Sequence, residues 1–403
     1  MCNARVSNLE TVLQEMNKDS SAGFPWSRHY TNKKQFLEGG GVEFLKWYLE
    51  GDHWEYWEPV WSVSLKREIR HLDKIKQGKI RTFTAAPVEF TTLCSTLFMD
   101  MNNRFYDAHR ITWSEVGMTH YYGGWDALYH KLSVFSKCFA IDVKDFDSTL
   151  LASIMYAIRD FRKDCLHDSD SAYKETIDFA YEHMIHSIMV LDDGQIYMKH
   201  LGNPSGSVNT VVDNTLALFC MLSYVWIDRC NRDYNSFTRS VRMALYGDDS
   251  LFSVHDEFAD KYNAEAVRDV LGKMQITITS ECWTPRRVEE CEFLSKGFRE
   301  YLDCWVPLVD SNKMLSSLYW CDSVIGDDVR WNLLRAYALY QESYTTPPAN
   351  EILYQYIAYC WDRYRHLMVG TVIKNGQVVL RLDDILARVK SRHELDLLYT
   401  GDE

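Results

Sequence analysis

The feature that most constrains this chain is Tyr246-Gly247-Asp248-Asp249, a stretch between two short apolar runs. The runs, residues 241–245 and 251–254, have the length and composition of β-strands. A Gly-Asp pair between such runs is typical of a tight hairpin turn. The sequence therefore predicts a hairpin with two carboxylates at its tip, where they can bind Mg²⁺, which prefers oxygen ligands. A plain hairpin turn accounts for the same residues and stays open at this point.

Length and composition predict a folded globular chain. Its 403 residues, 46% of them hydrophobic, can bury one large core or two to three subdomains. The longest apolar run, residues 216–227, has the length of a buried helix and is shorter than a bilayer requires, and the first ten residues lack the apolar core of a signal peptide. We therefore expect no transmembrane segment and no secretion. The eleven scattered cysteines contain no Cys-x-x-Cys pair, which favours free thiols over zinc or disulfides.

One segment departs from the overall acidity of the chain. The formal net charge of −13 argues against a nonspecific binder of polyanions. Residues 66–81 nevertheless carry a local net charge of +5. The basic residues of this segment are Lys66, Arg67, Arg70, Lys74, Lys76, Lys79 and Arg81. The segment is either a solvated helix face or a site for an anionic ligand.

The hydrophobic pattern predicts a mixture of helices and short strands. Helices are predicted at residues 91–108, 150–162, 171–185, 208–229 and 258–274, with a mainly helical region after residue 311. Strands are predicted at residues 140–143, 188–191, 195–198, 276–279, 293–298 and 306–309, and a late hairpin turn at Asn375-Gly376. No repeat or flexible linker marks a boundary, so we expect closely packed subdomains.

A second acidic group follows the strand predicted at residues 140–143. Asp142 alone would be an ordinary turn or capping residue, but with Asp248 from another strand it could complete a two-metal site for phosphoryl transfer. Calcium is excluded, because the segment lacks the Gly at the sixth position and the distal Glu of a calcium-binding loop.

The loop Gly202-Asn203-Pro204-Ser205-Gly206 leads into the helix predicted at residues 208–229. Thr210 and Asn214 are four residues apart, so both lie on one face of that helix. In a functional interpretation Asp147, Ser205 and Asn214 hydrogen-bond a ribose 2′-hydroxyl. In the alternative, Ser205 or Ser207 simply caps the helix.

The order of these segments resembles the RNA-dependent RNA polymerases of positive-strand RNA viruses, closest to the picornavirus-like group. The resemblance runs from about Ser20 to Leu315. Ser20-Ser21-Ala22-Gly23-Phe24-Pro25 resembles the family's loop that guides the template. The basic segment resembles its nucleotide-guiding motif, which implies that Lys66, Arg70, Lys79 and Arg81 contact the incoming triphosphate.

The three palm motifs of the family follow in order. Asp142 and Asp147 match the first, and residues 202–214 match the second, with Ser205, Gly206, Thr210 and Asn214 as nucleotide-binding residues. Tyr246-Gly247-Asp248-Asp249 matches the third, with Asp248 as the main metal ligand and Asp249 as its partner. The segment from Phe293, Leu294, Ser295 and Lys296 to Phe298 resembles the primer-grip hairpin.

The resemblance implies an α+β right-hand polymerase whose palm is a small antiparallel sheet backed by helices. Residues 1–115 and 182–201 would form the fingers, residues 116–181 and 202–305 the palm, and residues 306–403 the thumb. The implied reaction adds ribonucleoside monophosphates to an RNA 3′-end with two Mg²⁺ or Mn²⁺ ions. The implied partners are an RNA template and primer, rNTPs and other viral replication proteins. Initiation from a protein-linked primer or de novo stays open. The implied location is the host cytoplasm, at membrane-associated replication complexes reached through partners.

The chain departs from the family pattern in two places. Where the family places a lysine as general acid for pyrophosphate, this chain has Ser280-Glu281-Cys282-Trp283, so that role is unassigned. Only nineteen residues precede Ser20, which fits either a shortened lineage or a fragment of a polyprotein. Two rival functions also stay open: a reverse transcriptase, and a catalytically silent RNA-binding or scaffold protein derived from a polymerase.

Overall fold

The computed structural model describes residues 1–66, 68, 70, 72–319, 329–367, 371–374, 377–381 and 390–401. The chain divides into two compact units. Unit 1 comprises residues 1–118, 141–250 and 257–283, and unit 2 comprises residues 119–140, 251–256 and 284–403. The predicted boundaries of fingers, palm and thumb follow a different division and stay a prediction. All predicted site residues except the segment 293–296 lie in unit 1.

The helices and strands of the described residues follow in chain order. The α-helices are α1 (Leu9–Glu15), α2 (Lys33–Phe36), α3 (Val42–Leu49), α4 (Leu72–Lys76), α5 (Val88–Asp107), α6 (Gly124–Leu132), α7 (Phe146–Thr149), α8 (Ala152–Cys165), α9 (Lys174–Ile185), α10 (Thr210–Cys230), α11 (Tyr234–Ser240), α12 (Ala264–Gly272), α13 (Ser311–Ser316), α14 (Val329–Glu342), α15 (Pro347–Tyr364) and α16 (Arg392–Thr400). The strands are β1 (Val60–Leu65), β2 (Thr82–Ala85), β3 (Lys137–Val143), β4 (Ile188–Val190), β5 (Ile196–Met198), β6 (Val241–Tyr246), β7 (Asp249–Val254), β8 (Ile278–Thr279), β9 (Lys296–Tyr301), β10 (Cys304–Val309), β11 (Thr371–Lys374) and β12 (Gln377–Arg381). Short 3-10 or π segments are Trp26–Arg28, Leu37–Gly41, Glu50–Tyr56, Asp168–Tyr173, Val288–Glu290, Ser317–Tyr319 and Arg365–Leu367.

Two four-stranded sheets position the predicted site. The first has the order β2-β1-β4-β5, with β1 antiparallel to β2 and parallel to β4. The second has the order β6-β7-β3-β8, with Asp142 of β3 opposite Thr279 of β8. Ser250 Oγ donates a hydrogen bond of 3.0 Å to the Ile141 carbonyl, so the start of β7 lies beside the end of β3. Two-stranded antiparallel sheets are formed by β9 with β10 and by β11 with β12.

Helix α10 lies in the core of unit 1, because apolar residues recur on most of its surface. Val212, Leu218, Leu222, Val225 and Trp226 are all fully buried. Within the described residues, α10 alone has the length and apolarity of a membrane span, and 61% of its apolar stretch is buried in this fold. That burial is typical of a core helix, as the sequence predicted for residues 216–227.

A buried ion pair fixes α10 against the helices beside it. Arg162 of α8 and Asp213 of α10 have side chains with 0% exposure, and Arg162 Nη2 lies 2.7 Å from Asp213 Oδ1. The Tyr181 hydroxyl of α9 donates to Asp213 Oδ2 at 2.8 Å, and Arg162 Nη2 also donates to Asn102 Oδ1 of α5 at 3.1 Å. A buried ion pair requires such additional hydrogen bonds to offset its lost hydration. The network therefore joins four helices.

Two predicted elements are wrong in part. The helix predicted at residues 258–274 begins only at Ala264, because the Asn263 side chain accepts from the Ala266 amide and caps the helix there. The strand predicted at residues 293–298 begins at Lys296, because Leu294 (φ 51°) and Ser295 (φ 59°) form a turn in the left-handed region. The first predicted helix begins at Val88, three residues early, directly after Pro87.

The remaining predicted elements are found within a few residues of their expected bounds. The hairpin at β4 and β5 and the hairpin at β6 and β7 are confirmed. Strands β11 and β12 pair as predicted, whereas the turn Asn375-Gly376 between them lies outside the described residues. The cysteines of the described residues are free thiols, as predicted.

Candidate active site

The tip of the β6–β7 hairpin carries Asp248 and Asp249. Gly247 has a φ of 63°, a left-handed conformation that glycine adopts without steric cost. Its amide donates a buried hydrogen bond of 2.8 Å to Thr215 Oγ1 of α10. Asp248 is exposed and Asp249 is half-buried. The hydrogen bond from Gly247 therefore fixes the hairpin tip to α10, while the Asp248 side chain remains accessible to solvent.

Asp142 is the penultimate residue of β3, which lies beside β7. Partial burial and repulsion by the Asp248 carboxylate raise the pKa of Asp142 above its ordinary value. Asp142 lies near the end of a strand and Asp248 in the β6–β7 turn, and their repulsion means that the two carboxylates lie within electrostatic range of each other. Such a pair favours a bound cation, which removes the repulsion.

Asp147 follows on α7 and is joined to α10 through Asn214. Asn214 Nδ2 donates a hydrogen bond of 2.7 Å to Asp147 Oδ1. Burial raises the pKa of Asp147, the Asn214 hydrogen bond lowers it, and repulsion by Asp248 raises it further. The electrostatic coupling places Asp147 in the same cluster as Asp142 and Asp248. Both residues are predicted from the sequence to bind the ribose hydroxyl, and the structure shows in addition that their side chains are in direct contact.

The loop before α10 packs tightly against its neighbours. A Cβ at Gly206 would lie 1.9 Å from the Thr84 carbonyl oxygen, and one at Gly202 would lie 2.2 Å from the Asp147 carbonyl oxygen. Ser205 Oγ accepts from the Thr84 amide at 3.0 Å. Only glycine permits these two backbone approaches, which bring the loop against both β2 and α7.

Thr210 has a different environment from the one predicted. Its hydroxyl donates to the carbonyl oxygens of Pro204 at 2.7 Å and Ser207 at 2.9 Å. Because its only hydroxyl proton is used within the loop, Thr210 holds the loop in place. A contact of Thr210 with the nucleotide stays a prediction. Asn209, the residue before α10, does not cap the helix with its side chain. Ser207 Oγ accepts a hydrogen bond of 3.2 Å from the Asn209 amide.

Lys199 lies beside the loop and was missed by sequence reasoning. Its Nζ donates to the Asp147 carbonyl oxygen at 3.2 Å. Burial lowers the pKa of Lys199 to about 8, although the Asp147 carboxylate opposes that shift. The same carbonyl also accepts from the Asn203 amide at 2.8 Å. The partner of Lys199 is 52 residues away in the chain, so the sequence carries no spacing signal for Lys199.

The predicted basic segment is organised around Glu68. The carboxylate of Glu68 lies 2.6 Å from Arg70, 3.7 Å from Lys66 and 3.7 Å from Arg81. Burial acts to raise the pKa of Glu68, but the hydrogen bond from Arg70 and the charges of Arg81 and Lys66 outweigh it and lower that pKa. Arg70 Nη1 also donates to the Lys79 carbonyl oxygen at 3.1 Å, and the Lys79 side chain is exposed.

Arg81 connects this segment to the acidic cluster. Its charge lowers the pKa of both Asp142 and Asp147, so it lies within electrostatic range of both. Its side chain is 56% exposed. A cation beside the acidic cluster that still reaches solvent can bind a triphosphate there.

The predicted template loop packs against the start of α5. Gly23 is buried, and a Cβ there would lie 2.3 Å from the Ala86 carbonyl oxygen. Gly23 is therefore required for packing, and its predicted role in template binding stays a prediction. Ser21 is exposed, and Ser20 and Pro25 are half-buried. The Arg28 guanidinium lies over the Phe24 ring, 5.1 Å from its centre.

The predicted primer-grip segment lies in unit 2. Phe293 is 2% exposed, so its side chain belongs to the core, and its predicted contact with the primer stays a prediction. Leu294 is half-buried and Ser295 exposed. Lys296 Nζ lies 2.9 Å from the Glu342 carboxylate, which also accepts from the Tyr121 hydroxyl at 2.5 Å. Lys296 is thus held by an ion pair within its own unit.

Comparisons with known proteins assign the family. A family model described as "Viral RNA-dependent RNA polymerase" matches residues 3–360. The genome polyprotein of Soybean mosaic virus (strain G2) is 29% identical over 322 residues, 78% of this chain and 10% of that protein. The genome polyprotein of Turnip mosaic virus (strain Japanese) is 31% identical over 262 residues, 65% of this chain and 8% of that protein. The chain thus spans about a tenth of the length of these curated relatives.

A solved structure supports the fold. The chain resembles "Sicinivirus 3Dpol RNA dependent RNA polymerase" with a TM-score of 0.75 at 19% identity, covering 90% of this chain and 78% of that one. The predicted right-hand polymerase fold and the resemblance to the picornavirus-like group are thereby confirmed. Since the family model spans most of its length, the chain belongs to the family of viral RNA-dependent RNA polymerases.

Proposed function

We propose that the chain performs template-directed RNA synthesis during replication of a viral genome, adding ribonucleoside monophosphates to an RNA 3′-end. The observation that carries the proposal is the cluster in which Asp142 and Asp248 repel each other beside Asp147, within range of Arg81. Phosphoryl transfer depends mainly on positioning and on neutralising phosphate charge, and this cluster offers both anions for metals and a cation for phosphates.

The acidic residues suit Mg²⁺ or Mn²⁺. Within the described residues, no group of three or more His, Cys, Asp or Glu side chains is placed to hold an ion. Mg²⁺ needs only one or two protein carboxylates, because water and substrate phosphates supply its other ligands. Asp142 and Asp248 would hold two ions, with Asp249 as a further ligand. When bound, the ions would activate the attacking 3′-oxygen and neutralise the leaving pyrophosphate.

The remaining residues of the site would bind and orient the nucleotide. Arg81 lies beside the acidic cluster, and Lys66 and Arg70 share the Glu68 carboxylate with it. A triphosphate would replace Glu68 as the partner of these cations, since phosphate oxygens bind Arg in the same bidentate manner. Lys79 is exposed on the same segment and would add to the attraction of the substrate.

The Asp147–Asn214 pair would recognise the ribose. Asn214 donates to one oxygen of Asp147, and the second oxygen of that carboxylate can accept the proton of a 2′-hydroxyl. Ser205, held against the Thr84 amide, lies in the loop next to this pair. A deoxyribonucleotide lacks the hydroxyl and would leave Asp147 unpaired, which favours RNA over DNA synthesis.

RNA would contact the two remaining predicted segments. Ser20, Ser21, Phe24 and Pro25 would guide the template, and Leu294, Ser295 and Lys296 would support the primer. These contacts would be mainly to phosphates, so RNA affinity should fall with rising salt concentration. The further partners we propose are other viral replication proteins, with a protein-linked primer as one route of initiation, at membrane-associated complexes in the host cytoplasm.

Primer extension tests this function. An RNA primer on a homopolymeric RNA template would be extended with rNTPs and Mg²⁺ or Mn²⁺ by the wild type, Asp248→Ala and Asp260→Ala. Asp260 is an exposed acid on a turn outside the cluster and serves as the matched control. Asp248→Ala should lower the rate more than about a hundredfold, since metal binding contributes several kcal/mol to such transition states. Equal rates for all three proteins, or a preference for dNTPs, would contradict the proposal.

A further inference from the structure

Asn203 is a buried side chain that connects the loop before α10 to Asn214. Its side chain has 0% exposure. Asn203 Nδ2 donates to Asn214 Oδ1 at 2.9 Å, and Asn214 Nδ2 in turn donates to Asp147 Oδ1 at 2.7 Å. The Asn203 main-chain amide donates to the Asp147 carbonyl oxygen at 2.8 Å. Asn203 thus contacts both members of the pair that would recognise the ribose.

The direction of these hydrogen bonds is fixed at both ends. Asn203 Nδ2 also lies 3.4 Å from the Thr210 carbonyl oxygen, which can only accept. At the other end, the ionised carboxylate of Asp147 can only accept as well. The two amides between these acceptors must therefore present their NH₂ groups in one order. Asn203 donates to the oxygen of Asn214, and the NH₂ group of Asn214 is left facing Asp147.

We propose that Asn203 is a positioning residue for ribose selection: its NH₂ group holds the Asn214 amide so that Asn214 donates to Asp147. This inference rests on the proposed function of the chain as an RNA polymerase. The hydrogen bonds of the described residues leave Asp147 Oδ2 as an acceptor for the ribose hydroxyl. If the Asn214 amide turned over, its oxygen would face Asp147 and repel it, and the carboxylate would move away from its position.

Asn203→Asp tests the proposal because it replaces the NH₂ group with an oxygen at nearly constant volume. The new carboxylate accepts from Asn214, so the Asn214 amide turns over and its oxygen faces Asp147. We expect the preference for rNTP over dNTP, measured as the ratio of kcat/KM values for single-nucleotide addition, to fall about tenfold or more. The fall should come from the rNTP value, because a dNTP has no hydroxyl for Asp147 to bind.

Asn209→Asp is the matched control. Asn209 is also 0% exposed and directly precedes α10, but its Oδ1 accepts from Asn102 Nδ2 at 3.0 Å, and the hydrogen bonds of the described residues join it to neither Asn214 nor Asp147. This variant introduces the same buried oxygen and should keep the wild-type nucleotide preference. Asn203→Ala is the second variant, in case Asn203→Asp fails to fold. It removes the donor without adding charge and should also lower the preference.

The possible results separate the inference from the function on which it rests. A folded wild type that adds neither nucleotide would overturn the proposed polymerase function together with this inference. An active wild type beside Asn203 variants of unchanged preference would overturn the inference alone. An equal fall in the rNTP and dNTP values would do the same, since it is the signature of a purely structural role. A fall confined to rNTP, absent in Asn209→Asp, is the result expected.

Discussion

Replacing Arg162 with alanine should strongly destabilise unit 1. Arg162 and Asp213 form an ion pair of 2.7 Å with both side chains at 0% exposure. Without the guanidinium, the Asp213 carboxylate stays buried, and among the described residues the Tyr181 hydroxyl, at 2.8 Å, is the side-chain donor that it keeps. Removing one member of a buried pair costs about 3–5 kcal/mol because the other charge is left unpaired. That is a large fraction of the roughly 5–15 kcal/mol by which folded domains are stable.

The assay is urea unfolding, with the free energy of unfolding compared among variants. Arg159→Ala is the matched control, because Arg159 lies three residues earlier on α8 and pairs with Asp178 at 3.1 Å, with side-chain exposures of 23% and 40%. Such an exposed pair contributes only about 0–1 kcal/mol. The double variant Arg162→Met/Asp213→Leu should recover much of the loss, since it leaves no buried charge. If Arg162→Ala costs no more than Arg159→Ala, the reasoning is refuted.

Two further predictions concern close packing and acid stability. Gly206→Ala should lower the free energy of unfolding by about 1–3 kcal/mol, and with it the melting temperature, because the new Cβ would lie 1.9 Å from the Thr84 carbonyl oxygen. The control is Gly272→Ala, whose new Cβ has no atom within 4 Å. It should be neutral or slightly stabilising. Burial opposes ionisation of Glu342, but hydrogen bonds, including that from Lys296, hold its pKa well below the usual range. The lowered pKa of Glu342 stabilises the folded state above the unfolded pKa of about 4.3, and this stabilisation is lost as the pH falls toward the folded pKa. Glu342→Gln should therefore reduce the loss of stability at acidic pH, measured as the free energy of unfolding against pH. An unchanged acidic part of that curve would contradict the prediction.

The sequence predicted the elements whose signals are local. The hairpin around residues 246–249 was found because a Gly-Asp turn between two apolar runs has few alternatives. Asp147 and Asn214 were each predicted to bind the ribose hydroxyl, and the structure adds that their side chains are hydrogen-bonded to each other at 2.7 Å. The helix predicted at residues 258–274 was wrong in its first part because the apolar pattern continues through Phe258 and Tyr262, while the cap at Asn263 decides the boundary.

Residues that depend on tertiary contacts could not be found in this way. In the sequence, Glu68 is one of two acidic residues within a basic segment and has no evident role. In the structure, its carboxylate forms ion pairs with Lys66, Arg70 and Arg81. Lys199 and Asn203 carried no recognisable signal, since Lys199 contacts the carbonyl of Asp147, 52 residues away, and Asn203 contacts the amide of Asn214 on the following helix. Phe293 matched the primer-grip segment by type, but its burial depends on core packing that a single segment does not reveal.

Three consecutive residues of α10 explain how one helix positions the whole site. Successive side chains on an α-helix point about 100° apart, so Asp213, Asn214 and Thr215 face three different directions. Asp213 pairs with Arg162, Asn214 donates to Asp147, and Thr215 accepts from the Gly247 amide beside Asp248. The ion pair fixes the rotation of α10 in the core, and that rotation sets where both aspartate-bearing segments are held. A shift of α10 would therefore disturb the residues proposed to bind metal and those proposed to bind the ribose together, which is how a charged pair in the core would affect the proposed catalysis.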